Sequence, residues 1–314
     1  MATVTISCHP LQPFRLDLTV WALRRRSRNR IDVWDGGYRR VLMVDERPVL
    51  VHATQSGENG AELVTLELSA SGSDLTPQRC QQAREIVERS LGMGVDLGGF
   101  YRLAADDRHL EGLARRFRGL KPPRFPTLFE ALANAVACQQ LSLEVGIELL
   151  NRLALAYGAE LDEGRSFPEA GVIAGLTVPS LRRLGFSARK ADTLLRIATA
   201  IAVGALDEGR LERLSPPAIL TALRGIRGIG RWSAEYVLLR GLAHHEVYPG
   251  DDVGARNRLR AFLGVTQVLD YSGVQQVAGA WAPYAGMVYF HHLLDGLAAR
   301  GTLPTLIGTS EQHA

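Results

Sequence analysis

Two adjacent carboxylates, Asp251 and Asp252, stand in a loop that contains Pro249 and follows an apolar helical pattern. A carboxylate held in one place can stabilise a positive charge that develops during a reaction, and it can orient or deprotonate a water molecule. The segment after Asp252 is predicted to be a helix, which Asp252 could also cap through its side chain. The two roles are compatible, because a cap fixes the carboxylate. We expect Asp252 to be the catalytic candidate, with Asp251 as its competitor.

An aromatic pair lies on the predicted helix before this loop. Trp232 and Tyr236 are four residues apart, so their rings share one helix face. Aromatic faces attract cations, and the pair could therefore form the wall of a pocket for a positively charged planar group. Packing in the core is the alternative explanation, and it is the preferred one on these residues alone.

The stretch 223–242 must position these side chains. Gly228 and Gly230 can both adopt positive φ, which permits a sharp turn. A helix that begins near Pro216 precedes the turn, and the helix with the aromatic pair follows it. Two helices joined in this way leave N–H groups around 228–231 unpaired, so the turn is predicted to bind an anion.

The composition permits two or three packed units. The 314 residues are 46% hydrophobic, and no apolar run approaches the ~18 residues of a membrane helix. The first residues lack the basic and apolar regions of a signal peptide, which predicts a cytoplasmic location. The net charge of +3 permits nucleic-acid binding, and arginine runs at 24–30 and 114–124 fit either such a contact or a solvated face. Three separated cysteines predict neither a disulfide framework nor a metal cluster.

The chain changes character near residue 88. Segments 38–44, 48–54 and 62–68 alternate polar and apolar residues between turn signals, which predicts antiparallel strands. From Gly92 onwards nearly every segment is predicted to be helical. Thr127 and Glu130 have the spacing of a capping box at the start of an apolar helix, which we expect near the centre of the helical part.

The pattern LxxIxGIGxxxA over 223–234, followed by Pro249 and the aspartate pair, resembles the helix-hairpin-helix DNA glycosylase superfamily. The resemblance is to AlkA-type DNA-3-methyladenine glycosylase II. It implies an α+β fold with a small, TBP-like antiparallel sheet domain at residues 1–88. A mostly α-helical body with a central cleft, residues 89–314, would follow and carry the hairpin at 223–242.

The resemblance also implies a reaction. The protein would flip a damaged base out of double-stranded DNA and hydrolyse the N-glycosidic bond of an alkylated purine, of the 3-methyladenine or 7-methylguanine type. Breaking that bond develops oxocarbenium character on the sugar, which the Asp252 carboxylate would stabilise. Trp232 and Tyr236 would line the base pocket. Bifunctional members have a lysine at the position of Trp232, so no lyase activity is expected.

The resemblance assigns further residues to DNA contact. Leu141 would wedge into the duplex beside the extruded nucleotide. The residues expected to contact DNA are Gln140, Leu141, Gly228, Gly230 and Arg231. The backbone carbonyls of Arg224, Ile226 and Ile229 would hold a structural monovalent cation, and no other cofactor is expected.

The chain departs from the AlkA pattern near its C-terminal end. Where that pattern has WxPWRS, residues 281–286 are WAPYAG, and Leu293 stands where an aromatic residue is expected. We expect this departure to alter the pocket wall and therefore the range of substrates. The protein is expected to be a monomer. Two alternatives stay open: a glycosylase for oxidised or deaminated purines, and a helix-hairpin-helix protein that binds damaged DNA without turnover. The absence of a lysine at 232 opposes a lyase, and Asp252 opposes the non-catalytic alternative.

Overall fold

A computed structural model describes residues 1–57, 62–72, 74–162 and 164–303. Its N-terminal part is a five-stranded antiparallel sheet with strand order β1-β5-β4-β3-β2. The strands are β1 (Ala2–Cys8), β2 (Val33–Trp34), β3 (Tyr38–Val44), β4 (Arg47–Ser56) and β5 (Leu63–Ala70). The three predicted strands are confirmed as β3, β4 and β5 within two residues at each end. The edge strands β1 and β2 were not predicted.

Two helices accompany the sheet. Helix α1 (Leu16–Arg24) lies between β1 and β2 in sequence, and α2 (Pro77–Ser90) follows β5. Thr76 caps α2 by accepting a hydrogen bond from the Arg79 N–H. Alternation along β4 and β5 places their apolar residues in one core with residues of the central helix described below, such as Leu132. The sheet and the helical part therefore share buried surface.

The remaining chain is mostly helical. Its elements are α3 (Gly98–Asp106), α4 (Leu110–Arg116), α5 (Leu128–Cys138), α6 (Leu143–Tyr157), β6 (Glu160–Leu161), β7 (Gly164–Arg165), α7 (Ala170–Ala174), α8 (Val178–Arg183), α9 (Ala188–Ala202), α10 (Glu208–Leu211), α11 (Pro216–Arg224), α12 (Arg231–Arg240), α13 (Val253–Phe262), α14 (Tyr271–Gly279) and α15 (Ala285–Ala298). A second apolar core joins α1 to α3, α4 and α15. In the part of the chain that the structure describes, no helix is long and apolar enough to span a membrane.

Helix α5 is central, as predicted, and ten of its eleven residues are buried. Thr127 caps it by accepting the Glu130 N–H at 3.1 Å. The predicted return bond of the capping box is wrong, because the Glu130 carboxylate instead accepts a hydrogen bond from Arg40 on β3. A tertiary ion pair with Arg40 has replaced the local hydrogen bond to the backbone.

Candidate active site

Helices α11 and α12 form the predicted hairpin. Gly228 in the turn has φ +99°, and a Cβ there would overlap the Thr193 hydroxyl, so this position requires glycine. Gly230, which could also adopt positive φ, has φ −91° and open space where a side chain would lie. Gly230 is instead the N-cap of α12, where a missing side chain leaves the helix N–H groups accessible.

The turn between α5 and α6 is tied to this hairpin. The Gln139 amide donates to the Gly228 carbonyl and to the Ser233 hydroxyl, both at 2.9 Å. Gln140 adopts a left-handed conformation with φ +53°, and Leu141 is 44% exposed. The exposed leucine thus lies on a turn that is hydrogen-bonded to the hairpin through Gln139, and its role as a wedge stays a prediction.

Asp252 caps α13 and faces the aromatic pair at the same time. Its Oδ1 accepts the Ala255 N–H at 2.8 Å. Its Oδ2 accepts hydrogen bonds from the Trp232 indole at 3.3 Å and from the Tyr289 hydroxyl at 3.0 Å. Cap geometry therefore fixes one carboxylate oxygen, and two aromatic donors fix the other.

Asp251 points elsewhere. Its carboxylate forms ion pairs with Arg231 at 2.7 Å and Arg256 at 3.4 Å. The Arg231 guanidinium also lies 3.5 Å from the ring centroid of Tyr271. Asp251 is thus occupied by arginines beside the hairpin, whereas Asp252 contacts the aromatic pair.

Trp232 and Tyr236 do pack together, with ring centroids 5.4 Å apart. Tyr236 is only 3% exposed, and its hydroxyl accepts a hydrogen bond from the Arg25 guanidinium at 2.8 Å. Burial raises the pKa of the Tyr236 hydroxyl, while the charge of Arg25 lowers it. Trp232 is half-buried and retains an exposed surface. Core packing therefore describes Tyr236, and Trp232 is the member of the pair that a ligand could reach.

Arg25 reaches this site from the N-terminal part of the chain. It follows α1 in a left-handed conformation with φ 62°, and its guanidinium also donates to the Asn134 side chain on α5. Arg24 and Arg25 are each only 4% exposed. These two residues therefore form neither a nucleic-acid contact nor a solvated face, the two roles predicted for the arginine run. The run carries no periodic signal that separates them from exposed Arg28.

Glu235 was also not predicted. Its buried carboxylate accepts the Gly250 N–H at 3.1 Å and the Tyr271 hydroxyl at 2.6 Å. Burial raises the pKa of Glu235, and these hydrogen bonds lower it. These two contacts connect the loop before Asp252 to α12, and α12 to α14.

The C-terminal departure has a packing explanation. A Cβ at Gly286 would lie 2.5 Å from the Leu239 side chain, and the Gly286 N–H donates to the His245 carbonyl at 2.7 Å. The start of α15 therefore lies too close to the segment after α12 for a serine. Leu293 is 6% exposed and belongs to the second apolar core.

The three carbonyls predicted for a cation lie in and around the hairpin turn. The Ile226 carbonyl accepts the Ile229 N–H at 3.0 Å and keeps a second lone pair. Carbonyl oxygens are suitable ligands for a hard cation, and the role of the Arg224, Ile226 and Ile229 set stays a prediction. No group of three or more His, Cys, Asp or Glu side chains that could hold a metal occurs among the described residues.

Helix, glycine turn, helix and capping aspartate together define a helix-hairpin-helix protein. Residues 133–283 match the model of the HhH-GPD superfamily base excision DNA repair proteins. DNA-3-methyladenine glycosylase 1 of Schizosaccharomyces pombe is 35% identical over 181 residues, which cover 57% of this chain and 76% of that protein. The chain belongs to the HhH-GPD superfamily, as the resemblance predicted.

Two further similarities extend this result. A DNA-3-methyladenine glycosylase of Bacillus subtilis is 30% identical over 200 residues, which cover 62% of this chain and 66% of that relative, just under two thirds of its length. The solved 3-methyladenine DNA glycosylase of Archaeoglobus fulgidus matches 95% of this chain and 99% of its own, with a TM-score of 0.78 and 23% identity. The second match concerns the fold and confirms the predicted α+β class.

Proposed function

We propose that this protein is a monofunctional DNA glycosylase that hydrolyses the N-glycosidic bond of alkylated purines. The observation that carries the proposal is the Asp252 carboxylate, held by three hydrogen bonds beside the half-buried Trp232. A fixed negative charge next to an accessible indole face suits a sugar cation and a cationic base. Relatives named as 3-methyladenine glycosylases support this choice over the oxidised-purine and non-catalytic alternatives.

The proposed partner is double-stranded DNA that contains a damaged base. The hairpin N–H groups at 228–231 would bind a phosphate, with Arg231 beside them, and a monovalent cation on the turn carbonyls would assist. Leu141 would fill the space of the extruded nucleotide, with Gln140 next to it. A monomeric state and a cytoplasmic location belong to the same proposal.

The experiment that tests the reaction is base release from duplexes that each carry one defined lesion. The panel contains 3-methyladenine, 7-methylguanine, hypoxanthine and 8-oxoguanine, with an undamaged duplex as the control. We expect release of the two methylated purines. Release of 8-oxoguanine alone would favour the oxidised-purine alternative, and tight binding without any release would favour the non-catalytic one.

The product strand is expected to remain intact. Trp232 has no amine that could attack the sugar. Lys190 is the nearest lysine in the sequence, and its amine donates a hydrogen bond to the Ala137 carbonyl at 2.8 Å. Water is therefore the proposed nucleophile. Borohydride present during the reaction should trap no protein–DNA adduct, and the strand should break only on heating in alkali. An adduct that forms as fast as the base is released would overturn the monofunctional assignment.

Gly228→Ala is expected to weaken binding to any duplex by about tenfold, because a Cβ at that position clashes with Thr193 and displaces the turn from the phosphate. Gly112→Ala is the matched control, since Gly112 lies on α4, where no DNA contact is assigned, and a side chain there meets open space. Fluorescence anisotropy with two unrelated duplexes measures both variants. Equal affinities for Gly228→Ala and Gly112→Ala would contradict the assigned role of the turn.

A further inference from the structure

Tyr289, on the C-terminal helix α15, is hydrogen-bonded to Asp252. Its hydroxyl donates to Asp252 Oδ2 at 3.0 Å across 37 residues of sequence. The indole of Trp232 donates to the same oxygen at 3.3 Å. One donor thus comes from the hairpin helix and the other from the C-terminal helix, and both converge on one carboxylate atom.

These contacts restrict what the carboxylate can do. An ionised carboxylate offers about four acceptor positions. Three are occupied, by the Ala255 N–H on Oδ1 and by the two aromatic donors on Oδ2. One acceptor direction is left for a sugar cation or an attacking water. A helix cap alone fixes Oδ1 but not the plane of the carboxylate, because rotation about its terminal bond is soft.

The surroundings keep Tyr289 a donor. Burial raises the pKa of its hydroxyl well above the ordinary value, and the Asp252 charge acts in the same direction. The phenol is therefore protonated at neutral pH. Other charged or titratable groups act on this pair from several elements, namely Arg25, Cys138, Tyr236, Arg240 and Tyr248.

We propose that Tyr289 is a positioning residue that holds Oδ2 of Asp252 in the catalytic orientation. The inference rests on the proposed glycosylase function. Without the Tyr289 hydroxyl, only the Trp232 indole would donate to Oδ2, and the plane of the carboxylate would be held less firmly.

The test is Tyr289→Phe, which keeps the ring that packs against Tyr248 and Phe290. We expect single-turnover base release at neutral pH to fall by about ten- to a hundredfold, the range for a hydrogen bond to a charged group. Affinity for the duplex should stay within about twofold, since no DNA contact is assigned to Tyr289.

Tyr248→Phe is the matched control. It removes a buried hydroxyl from the neighbouring ring, 5.5 Å from Tyr289, that contacts the Ala255 carbonyl and His292 but not Asp252. We expect its single-turnover rate constant to stay within about twofold of that of the unmodified protein. With enzyme in saturating excess over the duplex, this rate constant does not depend on the fraction of folded enzyme, so partial misfolding of either variant does not mimic the result.

The outcomes are separable. If the unmodified protein releases no base from any lesion, the proposed function fails. If it is active and Asp252→Asn is not, while Tyr289→Phe matches the unmodified protein in rate, only the role of Tyr289 is refuted. An equal loss of rate in Tyr248→Phe would also refute it, because the effect would then belong to the aromatic cluster.

Discussion

Asp252→Asn is expected to reduce base release by more than about a thousandfold, the upper end of the range for loss of one electrostatic stabiliser. An amide is nearly isosteric with the carboxylate and can keep the cap bond to the Ala255 N–H through its oxygen. It has no charge to offer a developing sugar cation. Single-turnover kinetics on a duplex with 7-methylguanine measures the loss.

Duplex affinity of the same variant should remain within about threefold, because the proposed phosphate contacts lie in the hairpin and not in the Asp252 side chain. Asp251→Asn is the matched control, one residue away. It breaks two ion pairs with Arg231 and Arg256 but leaves the aromatic pair untouched. If Asp251→Asn is inactive and Asp252→Asn turns over normally, the catalytic assignment is wrong by one residue.

The hairpin could be predicted because its signals are local. Glycine spacing fixes the turn, the proline start and the i, i+4 aromatic pair fix two helices, and an aspartate before a helix is a cap wherever the chain folds. Even here the local signal had a limit. It could not show that Gly228 has no room for a side chain, since that space is occupied by Thr193 in a different helix.

The buried polar contacts could not be predicted from local patterns. Arg25 meets Tyr236 across 211 residues, and Tyr289 meets Asp252 across 37. Helical periodicity assigns a residue to the buried face, but it does not say which buried atom lies opposite. Glu130 shows that a distant partner can also replace a contact that the local pattern predicts. Its spacing to Thr127 is right for a capping box, yet a charged partner in another element outweighs a local N–H.

That partner is Arg40, which connects the sheet to the central helix. Its guanidinium pairs with Asp32 at 2.6 Å and with Glu130 at 2.5 Å, and all three residues are at most 4% exposed. The Tyr38 hydroxyl also donates to Asp32 at 2.9 Å. Removing the cation would leave two carboxylates buried in a site that water does not reach, the situation in which breaking an ion pair is most costly.

Arg40→Met is therefore expected to lower the free energy of unfolding by about 3–5 kcal/mol at neutral pH. Burial raises the pKa of Glu130 to about 7, and the Arg40 charge opposes that shift. Without Arg40 the folded state binds protons more readily than the unfolded state, so the variant should regain stability as pH falls from 8 to 5. Urea unfolding at both pH values measures the change.

Arg115→Met is the matched control, because Arg115 forms an exposed i, i+4 pair with Glu111, and such pairs contribute little. We propose residues 1–88 and 89–314 as the two units of the chain, and Arg40 and Glu130 lie on opposite sides of that boundary. Intrinsic tryptophan fluorescence and far-UV circular dichroism should report one shared transition that Arg40→Met shifts as a whole. Two separate unfolding transitions, of which Arg40→Met shifts only one, would contradict the role of this ion pair in coupling the sheet to α5.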